Sequence, residues 1–442
     1  MLTPLPRHVV PAAGVACLLV LLLSPVPSTA EPPSPDVIRQ NEEDFDFMWS
    51  EIGSSYAYFD ARRTDWDKVK LLYRPRLKDV ASREDFIGIL EKVLEELYDP
   101  HAHLNTNTAA SPKLIPSGTD LWAEWDGDRA VITQVRPGSP AERAGLKPGL
   151  EVLGIDGAGV REAVERRLPR ALRAPDPHAK DWALRAALAG RRGESRRILA
   201  QTGRTRGEYV LQDPTQDPAA ATKDDRPLHH HRLSPDEADI GYIRIHNSLG
   251  SLDLLRAFDA ALADLENTSG LILDLRDTPG GGNTTVARGI MGRFLEREGV
   301  YQKHGLPEEE RGTGVKRSWM EIVSPRGERP YRAPVVVLVD HWTGSMGEGI
   351  AIGMDGLKRA TVVGTRMAGL LGATHQFALP HSGIGVSVPA EKLFHVNGTP
   401  REDYVPPVAV DLQKSDYQKA RDPILDAGLD TMRSLLKPKT SK

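Results

Sequence analysis

The sequence predicts an α/β chain with a separate β-rich module and a helical N-terminal segment, and three observations carry this. From residue 240 onward, short apolar runs alternate with amphipathic stretches of helical spacing, which implies parallel strands joined by right-handed crossovers. Between about 115 and 212, strand and turn signals follow one another with only short helical pieces. From 37 to 107 the apolar residues recur at helical spacing. The length of 442 residues suggests roughly three domains. A composition of 40% hydrophobic and 27% charged residues is that of a globular protein with a large core. The net charge of −4 is spread along the chain, and no basic block or basic–aromatic stripe points to nucleic acid.

The first thirty residues stand apart. Arg7 and His8 precede the apolar run VACLLVLLL (15–23), and SPVPSTA follows with Ser28 and Ala30 two apart. This reads as a secretory signal peptide over 1–30, cleaved after Ala30, which predicts a periplasmic or secreted protein. The apolar core is too short for a membrane span. Cys17 is the only cysteine and leaves with the peptide. Disulfides and cysteine catalysis are thereby excluded from the mature chain.

The N-terminal helical segment covers 31–110. Its clearest element is SREDFIGILEKVLEELYD (82–99), capped by Ser82 and carrying Phe86, Ile89, Leu90, Val93, Leu94 and Leu97 on one face. Pro100 ends it at DPHAHL (99–104). The β-rich module covers 111–215. There WDGD (125–128) marks a hairpin before AVITQV (130–135). In GSPAERAG (138–145), Ser139 caps, Pro140 takes the first helical position and Gly145 stops the helix after about one turn. LKPGLEVLGIDG (146–157) adds a turn, a strand and a D-G turn. Residues 216–239 are polar and Pro-rich, a linker or surface loop. Its His229, His230 and His231 lack regular ligand spacing and read as solvated loop, not metal site. The α/β domain spans 240–412, and a helical tail follows over 413–442. Its elements include strand 241–245, helix 252–267, strand 271–276, helix 283–295, strand 333–340, a helix opening at Ser345, and strand 360–365.

Ligands bind beyond the carboxyl ends of parallel strands. Two unusual loops leave such ends, DTPGGGN (277–283) and HWTGS (341–345). Glycines 280–282 offer backbone N–H groups to an oxyanion or phosphate, or simply enter a helix. Asn283, Thr284 and Thr285 follow them, which excludes a Walker loop. Ser345 and Glu348 form the S-x-x-E capping box, and Thr343 stands where a G-x-S-x-G elbow has glycine. Local sequence alone therefore favours Ser345 as a helix cap. DPHAHL also fits the D-x-H-x-H opening of a metal-dependent amidohydrolase. It follows a helix here, not a barrel strand, which argues against that reading.

The order of elements around SPAERAGLKPG resembles a PDZ domain of the bacterial protease type. Such a domain binds a peptide's C-terminal end by strand addition, with the implied carboxylate loop near Gly118–Leu121. GLILDLRDTPGGGN (270–283) resembles the L-D-x-R-x-x-P-G-G segment of the tail-specific, or C-terminal processing, serine peptidases. The PDZ-like module precedes it and the strand–serine–x–x–Glu unit follows it, as in that family. The resemblance spans roughly 80–410 and implies a crotonase-like α/β superhelix. It makes Ser345 the nucleophile and Glu348 the helix glutamate. Backbone N–H groups of Gly280 or Gly281 and of Met346 would form the oxyanion hole. The family's lysine, in G-x-x-x-x-G-K, is replaced: in GTRMAGLLGATH (364–375) that position is Leu370. The chain is instead similar to the histidine-using branch, which includes tricorn-type core peptidases and resembles retinoid-binding repeats of photoreceptor matrix protein. In that branch LYDPHAHL (97–104) supplies the base, His101 ahead of His103. NGTPREDYVPPVAV (397–410) supplies an orienting glutamate, Glu402 ahead of Asp403. Pro100 stands at a position that is serine in the tricorn type. Asp274 and Arg276 read as structural. The expectation is thus a serine endopeptidase acting on protein or peptide substrates, with no metal or other cofactor; a homo-oligomer is compatible with it. The alternative is a non-catalytic member that binds peptides or small apolar ligands.

Overall fold

The structure, a computed structural model, describes residues 34–212, 226–233, 239–412, 416 and 421–437. The expected signal peptide and most of the 216–239 segment lie outside the described residues.

Helices Pro35–Ser55, Trp66–Tyr73 and Arg83–Glu95 form the N-terminal segment. Ser82 caps the third of these, accepting from Asp85 N–H at 3.1 Å. Its apolar face (Phe86, Leu90, Val93, Leu94) buries against Met48 and Ile52, and also against Leu371, Val386 and Val388 of the C-terminal domain. The helical segment and the C-terminal domain therefore share one core. Each such side chain contributes about 1.5–3 kcal/mol when fully buried.

The β module is an antiparallel sheet in the order Leu121–Asp126, Arg129–Val135, Glu151–Ile155, Arg196–Thr202, Thr205–Leu211. Helix Pro177–Ala189 closes one side. Its core, built on Ile132, Val152, Leu184 and Ile198, also takes in Trp342 from the C-terminal domain.

The C-terminal domain centres on six strands in the order Val408–Ala409, Ala360–Gly364, Val335–Val339, Gly270–Asp274, Ile240–Ile245, Leu228–Leu233. The first five are parallel. Alternate residues face opposite layers. Leu271 and Leu273 meet Phe258, Ile290 and Ile350 on one side, and Ile272 meets Ile424 and Met432 of helix Pro423–Leu436 on the other. Leu228–Leu233 corrects the reading of 216–239 as linker or loop: LHHHRL is an antiparallel edge strand on Ile240–Ile245. Pairing with an otherwise open edge outweighs the polar composition, and Leu228 is buried.

A second, five-stranded antiparallel sheet was not expected. It joins His103–Leu104, Gly385–Phe394, Gly299–Leu306, Arg317–Val323 and Ala373–Ala378. His103 pairs with Ser387, so this sheet carries the end of DPHAHL into the C-terminal domain.

Asp274 and Arg276 are structural. The Arg276 guanidinium grips Asp274 at 2.9 and 2.7 Å and Asp422 of the C-terminal helix at 2.7 and 2.9 Å. Burial works to raise the Asp274 pKa, but Arg276, with Arg244 and the Tyr242 hydroxyl, outweighs it and the carboxyl is held down at about 2. The sign follows: a carboxyl depressed by folding adds stability above its unfolded value, and this is lost as pH falls towards 2. Replacing Arg276 by Met removes the ion pair of a fully buried carboxylate and leaves it the Tyr242 hydroxyl and the Arg244 charge. We expect a loss of about 3–5 kcal/mol in urea unfolding and a weaker acid dependence below pH 4.

Candidate active site

The two loops foreseen at the carboxyl ends of parallel strands are joined to one another. Thr278 and Thr343 form a parallel bridge, Gly344 N–H donates to Thr278 O at 3.3 Å, and Thr343 Oγ1 donates to Leu275 O at 3.1 Å. A methyl on Gly344 would lie 2.7 Å from Pro279 O, so the loops meet at a distance only glycine allows. Ser345 follows with φ 50° and ψ −109°, a region that costs a non-glycine residue of order 1–3 kcal/mol and concentrates at functional sites. The serine is half-buried and opens helix Met346–Gly356. A methyl on Gly281, itself at φ +63°, would stand 2.4 Å from Ser345 Cβ and 2.8 Å from its Oγ. The serine hydroxyl therefore faces bare backbone.

Glu348 is fully buried and does more than cap the helix. Its Oε2 accepts from Ser345 N–H at 2.8 Å and its Oε1 from Gly369 N–H at 2.9 Å. Burial raises its pKa to about 7, opposed by Arg401 and the two N–H groups. Arg401 lies 3.8 Å from Glu348 and donates to Leu370 O and Gly372 O, both at 2.8 Å. Leu371 O, between those two carbonyls in sequence, accepts from His101 Nδ1 at 2.6 Å. Residues 369–372 thus connect the serine elbow to His101. The Leu370 side chain is buried, 3.2 Å from where a Gly344 methyl would lie.

His101 sits in a built turn. Asp99 Oδ1 accepts from His101 N–H at 2.9 Å and its Oδ2 from Tyr56 O–H at 2.8 Å. Donation from Nδ1 to Leu371 fixes the tautomer and leaves Nε2 as the acceptor. Burial first, and the Arg401 charge second, push the His101 pKa down to about 3. His103 instead bonds through Nδ1 to His101 O at 3.1 Å. Glu402 is half-buried, while Asp403 is exposed. The Glu402 carboxyl does not hold His101 Nδ1, because Leu371 O already takes that proton. Its Oε2 is buried without a hydrogen bond, as is the Tyr58 hydroxyl; burial raises the Glu402 pKa.

Other donors expected near the serine are committed elsewhere. Gly280 N–H donates to Asn247 Oδ1 at 2.7 Å and Gly281 N–H to Thr278 O at 3.1 Å. The turn that brings Gly281 against Ser345 consumes its own N–H. Met346 N–H, first in its helix, has no acceptor among the described residues, and there the helix dipole favours negative charge. Sequence reasoning missed Asn247, Arg401 and the Leu371 carbonyl. Asn247 carried a signal: HNSLG (246–250) leaves a third parallel strand on the same edge.

The β module grips the serine loop. His341 stacks on Trp122 with centroids 4.5 Å apart, Trp342 Nε1 donates to Thr119 O at 3.0 Å, and Gln134 Nε2 donates to Asp340 at 2.9 Å. Burial raises the Asp340 pKa to about 7.

Residues 239–410 match the family model described as Peptidase family S41, and residues 39–95 match the Tricorn protease C1 domain. A carboxyl-terminal-processing protease of Synechocystis sp. is 26% identical over 355 residues, covering 78% of this chain and 74% of that protein. Tricorn protease homolog 1 of Streptomyces coelicolor is 25% identical, over 86% of this chain but only 34% of that protein. Among solved structures, mature CPAF overlays with a TM-score of 0.59 at 15% identity, covering 92% of this chain and 99% of its own. The photosystem II D1 C-terminal processing protease overlays at 0.51 with 20% identity, covering 84% and 93%. These overlays show a shared α/β fold. Among the described residues no helix is long and apolar enough to cross a membrane.

Glu348 and Asp340 set a pH dependence near neutrality. A carboxyl whose pKa is raised by folding contributes stability below its unfolded value, near 4 to 4.5, and that contribution is lost as pH rises through about 7. Thermal melts should therefore fall between pH 4.5 and 7.5, and Glu348→Gln should flatten part of that slope. A wild-type profile rising over this window contradicts the assignment.

Proposed function

We propose that this chain, a member of peptidase family S41, is a secreted or periplasmic serine endopeptidase that cleaves protein or peptide substrates through an acyl-enzyme on Ser345. The observation that carries this is the strained Ser345 elbow, whose hydroxyl faces Gly281 beside the open N–H of Met346. Oγ adds to the substrate carbonyl while its proton passes to His101 Nε2. Met346 N–H stabilises the oxyanion at the helix N-terminus. Collapse breaks the C–N bond, His101 returns the proton to the leaving amine, and water releases the acyl group by the same steps.

Leu370 cannot serve as base, which leaves the role to histidine. His101 is favoured over His103 because its tautomer is set by Leu371 O and its segment is tied to Ser345 through Glu348. Glu402, beside Arg401, is read as a carboxylate that steadies the imidazolium as it forms, ahead of Asp403. Gly281 forms the wall that faces the hydroxyl, and Gly280 beside it faces the Asn247 amide. The β module is read as a PDZ domain that helps present substrate, and the C-terminal α/β domain as the crotonase-like superhelix. Stacking of His341 on Trp122 supports coupling between the two. The 1–30 signal peptide supports export.

A fluorophosphonate probe tests the assignment. Wild type should label, and Ser345→Ala should abolish labelling. His101→Ala should slow labelling and casein hydrolysis by at least about 10³-fold, while His103→Ala stays within about tenfold of wild type. Labelling that survives Ser345→Ala refutes the nucleophile. Folded wild-type protein that neither labels nor cleaves favours a binding protein.

A further inference from the structure

Of the three backbone donors foreseen for the oxyanion pocket, Met346 N–H alone is open, because Gly280 N–H donates to Asn247 Oδ1 and Gly281 N–H to Thr278 O. Asn247 supplies what is missing. It lies in the exposed loop that leaves strand Ile240–Ile245, which runs parallel to Gly270–Asp274 and opens on the same edge. Gly280 N–H donates to Asn247 Oδ1 at 2.7 Å. A backbone N–H requires an oxygen there, so this bond settles which end of the amide faces it. The Nδ2 group, with two N–H donors, then has no acceptor among the described residues.

The amide lies against the same dipeptide that faces the serine. A methyl on Gly280 would sit 2.7 Å from Asn247 Oδ1 and 2.9 Å from Nδ2, and one on Gly281 would sit 2.8 Å from Ser345 Oγ and 3.1 Å from Met346 N. The amide is also held in place from behind. His246 Nδ1 bonds Asp277 Oδ2 at 2.9 Å, and Arg136 of the β module donates to Asp277 Oδ1 at 2.9 Å. Ser248 Oγ donates to Pro227 O at 2.8 Å. Asp277 and Gly280 belong to one loop, and His246 and Asn247 to another, so two adjacent bonds lock the loops together. A donor held this way needs no reorganisation when charge develops in front of it.

We propose that Asn247 is a catalytic residue whose Nδ2–H donates to the oxyanion alongside Met346 N–H. As the Oγ–C bond forms, the carbonyl π pair moves onto oxygen, and these two donors hold the resulting negative charge. The Oγ proton goes to His101, and collapse of the oxyanion expels the amine. The proposal rests on Ser345 as nucleophile.

The test compares wild type, Ser345→Ala, Asn247→Ala and Asn247→Asp in the full chain, by fluorophosphonate labelling and steady-state hydrolysis of fluorogenic casein. Asn247→Asp keeps an acceptor for Gly280 N–H and removes the donor, so it tests chemistry even if the alanine variant loosens the loop. Both variants should lose about 10²–10³-fold in kcat with KM within about threefold, and Asn247→Asp should keep the wild-type melting temperature. If either folded variant stays within about threefold of wild type, Asn247 is not a donor. Faster turnover in Asn247→Ala also overturns the proposal, since Asn247 would then only hold Gly280 N–H away from substrate. Unlabelled wild type, or labelling of Ser345→Ala, is a distinct result: it overturns the Ser345 reading and takes this proposal with it.

Discussion

The buried carboxylate of Glu348 is the contact on which the candidate site depends. One oxygen fixes the backbone of Ser345 and the other fixes Gly369. Placing a carboxylate in a dry core carries a penalty of several kcal/mol unless its lone pairs are satisfied. Two backbone N–H groups satisfy them, and Arg401 supplies opposite charge at 3.8 Å. Arg401 is itself occupied with the carbonyls of Leu370 and Gly372. That pins the peptide between them and presents Leu371 O to His101. A capping-box glutamate on one helix thus orders a histidine more than two hundred residues earlier in the chain.

Around this network the loops are stiff. Close approach at Gly344 and Gly281, the Thr278–Thr343 bridge and the fully buried Trp342 leave the elbow little freedom. Strain at Ser345 persists because the surrounding contacts over-determine it. The β module takes part directly: its Trp122, Gln134 and Thr119 touch residues 340–342, and its Arg136 reaches Asp277. Both candidate-site loops therefore have a partner in that module.

The parallel core was legible because its strands are buried on both faces and read as unbroken apolar runs, such as VVVLV at 335–339. The edge strand LHHHRL was not legible, since hydrogen bonding to an open edge leaves little trace in composition. The second sheet escaped for a related reason. GVYQKHGL and RSWMEIV mix polar and apolar residues and pair with each other, and the strand that ties them into the sheet, Gly385–Phe394, lies much further along the chain. At the site, Ser345 and Glu348 announced themselves by spacing, whichever role they were given. The orienting acceptor of His101 did not, because a backbone carbonyl has no residue type. Glu402 was chosen by motif as the orienting group, yet the His101 Nδ1 proton goes to the Leu371 carbonyl.

Leu370 sharpens what a change of base requires. A lysine base must be neutral to accept a proton, and a dry pocket helps by lowering its pKa. A histidine is already neutral above its ordinary pKa of about 6.5, so burial brings it no such benefit and penalises the imidazolium that catalysis must form. Burial and Arg401 impose that penalty on His101 here. The compensating charge has to come from the reaction and from nearby carboxylates. In the proposed mechanism the oxyanion forms as the proton moves, so the developing ion pair replaces a lone buried cation. Glu348 lies 3.8 Å from the Arg401 charge and tempers it. Under that proposal the histidine becomes cationic only while an anion stands in front of it, and leucine at 370 brings no second positive charge into that space.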